Sequence, residues 1–223
     1  MTAARWTLLA LLGAIVTTAC SGTRTPSGSP ASSGVSAAEF ERIYRARTDS
    51  ARLRYTAADV RFMTHMIEHH AQALVMAALV PDRSTNAAIR TLAARITNGQ
   101  QDEIATMQRW LRDRGQPVPE LPGAGPAPMV HGAGPAPTMP GMLTPEQLRE
   151  LEQARGPAFD RLFLESMIRH HRGAVIMVEE LFATDGAGQD EEAFRFAADA
   201  QVDQQTEIAR MERMLAERSA GGA

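Results

Sequence analysis

Two pairs of adjacent histidines, His69-His70 and His170-His171, are each framed by methionines, and these side chains carry the chemistry this chain can offer. Imidazole nitrogen and thioether sulfur both ligate metals. Together, and with no thiolate, they suit Cu(I) better than zinc or iron. Met66 lies three and four residues before His69 and His70, so on a helix it shares their face; Met167 stands the same way to His170 and His171. Met76 and Met177 follow the two pairs. A di-iron centre would need a Glu-x-x-His motif on each of two helices, and the chain has none. No nucleophile, Gly-rich phosphate loop or paired-carboxylate arrangement accompanies the histidines, so a binding role ranks above an enzymatic one.

The elements that position these groups are repeated. Asp59, Phe62, Met66, Ile67, His69, His70, Ala73 and Met76 recur as Asp160, Phe163, Met167, Ile168, His170, His171, Ala174 and Met177, at a constant offset of 101. Downstream, Gln100, Gln101, Glu103, Ile104, Met107 and Leu111 recur as Gln204, Gln205, Glu207, Ile208, Met211 and Leu215. A fixed-period repeat decides the architecture. Helical periodicity dominates each copy, and no alternating strand pattern is convincing. Four long helices in two antiparallel pairs predict an all-α, four-helix bundle.

Punctuation sets the limits of these helices. An amphipathic segment spans about 37–54. Thr56 with Asp59 resembles a capping box that starts the first long helix, which should stop at Pro81. Ser84 or Thr85 should cap the second, which ends before Gly115. Residues 115–142 hold most of the prolines and a duplicated Gly-Ala-Gly-Pro-Ala-Pro, and read as a mobile linker. The linker's Met129, His131, Met139 and Met142 are further soft groups. Thr144-Pro145 starts a short helix, followed by long helices over about 157–183 and 190–218. The repeats thus occupy 37–114 and 143–219 within one domain.

On a helical wheel His70 and His171 fall in the middle of an apolar stripe, with His69 and His170 at its border. Gln100, Gln204, Glu103, Glu207, Met107 and Met211 lie on or beside the apolar faces of the second and fourth long helices. Buried polar groups need partners. Two readings therefore compete. In one, His70 and His171 bond to Gln100 and Gln204 in a metal-free core network, and the protein is a helical interaction or scaffold module. In the other, His69, His70, His170 and His171 with Met66, Met76, Met167 and Met177 hold Cu(I). Asp59, Asp160, Gln100, Gln204, Glu103, Glu207, Met107 and Met211 then surround those ligands. Imidazole must lose its proton to bind, so this reading predicts weaker binding below about pH 6.5.

The ends and the charge narrow the setting. Arg5, the apolar run from Leu8 to Val16 and small residues before Cys20 read as a signal segment over 1–19, too short to span a bilayer, which takes about 20 apolar residues. Cys20, the only cysteine, looks like the lipidated residue of a bacterial lipobox, although Thr17 stands where Leu is usual. Residues 20–36 then form a flexible tether. An exported protein anchored to a membrane through Cys20 follows. With Cys20 committed, disulfides and cysteine-based zinc sites are excluded. A net charge of -3 and no long basic run give no sign of nucleic-acid binding.

These motifs resemble domain-of-unknown-function family 305. The resemblance rests on Asp59-x-x-Phe62-x-x-x-Met66-Ile67-x-His69-His70-x-x-Ala73, on Gln100-Gln101-x-Glu103-Ile104-x-x-Met107-x-x-Trp110-Leu111, and on their second copies. It covers about residues 56–217 and implies an extracytoplasmic protein with a ferritin-like helical bundle. Some members are periplasmic copper-binding proteins associated with copper resistance, so the resemblance also implies copper. The chain departs from the family where Glu68 and Arg169 replace a frequent proline, and where Met214 stands opposite Trp110.

The anchor is tested in cell fractions. Cys20→Ser should move the protein from the membrane to the soluble fraction; identical partitioning of both forms would rule out lipidation.

Overall fold

The computed structural model describes residues 36–52, 54–121 and 139–221; the signal segment, Cys20, Met129 and His131 lie outside them. Helices joined by turns and loops make up the described residues, with no strand among them. In chain order the helices are α1 (Ala37–Arg52), α2 (Ala57–Ala78), α3 (Val80–Arg83), α4 (Ala87–Asp113), α5 (Pro145–Gln153), α6 (Gly156–Phe182) and α7 (Glu191–Gly221). No helix among them is long and apolar enough to cross a membrane.

Local chemistry explains most boundaries. The Thr56 hydroxyl accepts from the N–H groups of Ala58 and Asp59, while Asp59 accepts from the Thr56 N–H at 2.7 Å, completing the expected capping box. α2 stops at Ala78, two residues earlier than expected, because Pro81 suits the first turn of the separate helix α3. Asn86, not Ser84 or Thr85, caps α4: its side chain accepts from the Ala88 and Ile89 N–H groups, whereas Ser84 accepts from the Asn86 N–H. Thr144 and Gln147 form a second capping box at α5, with Pro145 in the first turn.

α2 packs against α4, α6 against α7, and α2 against α6. The apolar faces make two clusters. The first gathers Phe62, Met63, Met66 and Ile67 of α2 with Met107 and Trp110 of α4, Met177 and Val178 of α6, and Ala193 and Phe196 of α7. The second holds Met76 and Ala77 of α2, Ile89 and Ile96 of α4, Phe159, Phe163 and Met167 of α6, and Met211 of α7. The first half of α2 therefore shares a core with the last half of α6, so the two helices run antiparallel. Their histidines fall between the two clusters along each helix.

A buried ionic lock holds one end. Arg114, at the close of α4, donates to Asp190 at 2.5 Å and lies over the Trp110 ring, 4.3 Å from its centroid. The Trp110 Nε1–H and the Ala193 N–H both donate to Asp190, each at 2.9 Å, so the same carboxylate starts α7. Burial alone would raise the Asp190 pKa; the bonds from Trp110, Ala193 and Arg114 instead hold it below the usual carboxylate value. Removing one member of a buried ion pair strands the other in low dielectric. Asp190→Ala should therefore cost about 3–5 kcal/mol in urea unfolding; a loss below about 1 kcal/mol, the scale of an exposed pair, would contradict the lock.

Candidate metal site

Consecutive residues on an α-helix point about 100° apart, so each His-His pair addresses two neighbours. His69 and His170 meet between α2 and α6, with ring centroids 3.8 Å apart and planes inclined at 35°. His70 turns to α4, where its Nε2 lies 2.5 Å from Glu103 Oε2; His171 turns to α7, where its Nε2 lies 2.6 Å from Glu207 Oε2. All four rings are fully buried. Two placements differ from expectation. His69 and His170 are not at a border but at the helix crossing, because α6 covers that edge of α2. The partners of His70 and His171 are Glu103 and Glu207 rather than Gln100 and Gln204. Gln100 and Gln204 are buried, and both side-chain polar atoms of Gln100 and the Oε1 of Gln204 lack a partner.

The acceptors fix the tautomers. The Pro140 carbonyl lies 3.0 Å from His69 Nε2 and can only accept, so that nitrogen carries the proton. The Glu103 and Glu207 carboxylates accept from Nε2 of His70 and His171 in the same way. In these three rings Nδ1 is left as an unpartnered lone pair, and in His170 neither nitrogen makes a well-formed hydrogen bond, only the His69 backbone acting weakly on the ring. Burial, reinforced by the nearby His70, pushes His69 from 6.5 down to about 3. Burial and then His69 push His170 well below its ordinary value. Both are neutral imidazoles, the form that binds metal.

The thioethers regroup across the repeats. Met66 and Met177 share the first core, with Met107, and Met76 and Met167 share the second, with Met211. Sequence spacing placed Met66 and Met167 each within its own repeat; the antiparallel crossing pairs each with a methionine of the other. No group of three or more His, Cys, Asp or Glu among the described residues can hold a metal ion, so nitrogen and carboxylate ligands alone do not complete a site. Imidazoles flanked by thioethers fit a soft cation instead. Asp59 and Asp160 stand apart, about 15 Å along their helices from His69 and His170 at 1.5 Å per residue. Asp59 accepts from the Thr56 and Gly188 N–H groups, and Asp160 pairs with Arg218 at 2.5 Å; both serve helix ends.

Sequence reasoning missed the segment that covers the histidines. Pro140 and Gly141, assigned to the linker, lie against α2 and α6, and the Leu143 backbone makes two hydrogen bonds with the Gln72 amide. A glycine in mid-α6, Gly173, was the available signal. Burial, then the charges of Glu103 and Glu207, raise the Asp203 pKa.

Residues 59–215 match the domain of unknown function DUF305. The chain belongs to this family. No curated protein matches it. Among solved structures it is similar to a DUF305 fragment from Deinococcus radiodurans, 32% identical with a TM-score of 0.61, covering 73% of this chain and 98% of that one. It is also similar to a putative secreted DUF305 protein from Streptomyces coelicolor, 31% identical, TM-score 0.59, covering 73% and 94%. CopM in its Cu(I)-bound form is 26% identical, TM-score 0.54, covering 71% of this chain and 96% of CopM; CopM is also solved with Ag and with Cu(II).

The DUF305 histidines of this chain set an acid limit on its stability. The unfolded chain protonates His69 near 6.5, whereas the fold resists until about 3. Unfolding therefore takes up protons inside that window. Stability is full above about 6.5 and falls as the pH drops below it, by at most about 1.4 kcal/mol per unit for each such ring. Urea midpoints should hold level from about pH 8 to 6.5 and decline by about pH 5; a profile flat to about pH 5 would show that the rings protonate in place. Cu(I) binding through the already neutral His69 ring should likewise not respond at about pH 6.5.

Proposed function

We propose that this protein is an extracytoplasmic, Cu(I)-binding member of the DUF305 family that sequesters copper and is anchored to a membrane through Cys20. Its framework is a ferritin-like four-helix bundle made of two equivalent helix pairs, α2–α4 and α6–α7. The ligands come from His69, His70, His170 and His171 with Met66, Met76, Met167 and Met177. One observation carries the reading: three of the four buried imidazoles donate Nε2–H to a carboxylate or a backbone carbonyl and keep Nδ1 unpartnered. Metal-ligating histidines are oriented by this kind of outer hydrogen bond. The Cu(I)- and Ag-bound CopM structures support the choice of a soft cation.

A second reading is a metal-free helical scaffold. The His70–Glu103 and His171–Glu207 bonds favour it, since a core polar network needs them whether or not metal binds.

His170 separates the two. Both its nitrogens are buried and neither makes a well-formed hydrogen bond, a cost of about 1–3 kcal/mol for an unmet polar group that an apolar side chain would remove. His170→Leu should unfold at the same or a higher urea concentration than wild type. In competition titrations with a Cu(I) chelator it should bind more weakly by over about a hundredfold, the upper end of what an outer-shell partner costs. Equal Cu(I) affinity in a folded His170→Leu protein, or none in wild type, would favour the scaffold.

A further inference from the structure

The returning chain is fixed to the histidine layer at successive residues. Met139 packs on the core that holds Met66 and Met177. The Pro140 carbonyl accepts from His69 Nε2 at 3.0 Å. Gly141, with φ of +76°, lies against the backbone of Arg169 and Gly173. The Leu143 N–H donates to Gln72 Oε1 at 2.8 Å, its carbonyl accepts from Gln72 Nε2 at 2.9 Å, and its side chain is buried in the second core.

Gln72 and Gly173 occupy equivalent positions in the two repeats, at the same offset of 101. One grips this segment and the other makes room for it: a Cβ on Gly173 would overlap the Pro140 carbonyl. Glycine inside a helix is destabilising relative to alanine, so the close approach is what position 173 obtains in exchange. The result breaks the symmetry of the stacked pair. His69 is held as one tautomer, and His170 is not.

We propose that residues 139–143 form a strap that belongs to the metal site: the Pro140 carbonyl positions His69 so that its Nδ1 lone pair is the one offered to a soft monovalent cation. Pro140 acts through His69 and is a positioning residue. This rests on the reading of the histidine–methionine layer as a soft-metal site.

The test uses the metal-free protein first and Ag(I) second. Long-range proton–nitrogen spectra of wild type should show His69 protonated at Nε2 and bare at Nδ1. Gly173→Ala should displace the strap, mix the His69 tautomers and weaken Ag(I) binding roughly tenfold or more, with helix content unchanged. Gln72→Ala leaves α6 untouched, removes both grips on Leu143, and should act in the same direction. Wild-type tautomer and Ag(I) affinity in both variants would overturn the strap. A tautomer change with unaltered Ag(I) affinity would overturn its part in the site. Absence of Ag(I) binding by wild type would instead overturn the metal reading itself, and the strap's role with it.

Discussion

Four imidazole rings enclosed where α2 crosses α6 impose the demand that the rest of the molecule meets. Burial holds His69 and His170 neutral, and every enclosed ring has an N–H that needs an acceptor. Glu103, Glu207 and the Pro140 carbonyl supply acceptors for three rings from three different elements: α4, α7 and the returning chain. That division explains why α4 must pack on α2 and α7 on α6. It also explains why the chain between the halves must come back over the crossing.

The layer does not earn its place through stability. Each buried nitrogen or amide atom without a partner costs about 1–3 kcal/mol, against a total stability of about 5–15 kcal/mol for a domain. Gln100 and Gln204 leave three such atoms, and the His170 N–H makes no well-formed bond. Two apolar cores flank the layer, and the Arg114–Asp190 lock ties α4 to the start of α7. These hold the helices in register without help from the histidines. A core built only to be stable would place leucine at position 170. A site that must offer lone pairs to a ligand cannot.

Much of this was legible in the sequence because local rules govern it. The repeat offset, the Thr56 and Thr144 capping boxes and the helical stripes are set by residues a few positions apart. The axial register between helices is not. Gln100 and Glu103 lie one turn apart on α4, and only the height of α4 against α2 decides which of them meets His70; it is Glu103. Likewise Met66 shares a core with Met177 because α2 and α6 run antiparallel. The strap escaped notice because a Pro/Gly-rich composition describes how freely a segment can bend. It does not show that Gly173, thirty-odd residues away, leaves a space fitted to one carbonyl.

A soft-metal site at the crossing of α2 and α6 would reveal itself in anomalous diffraction from crystals of the Ag(I)-loaded protein. A silver peak should lie between the two helices, within bonding distance of a His69 or His170 nitrogen and of at least one of Met66, Met76, Met167 and Met177. Silver found only elsewhere, with the His69 and His170 rings still 3.8 Å apart and His70 and His171 still bonded to Glu103 and Glu207, would contradict it.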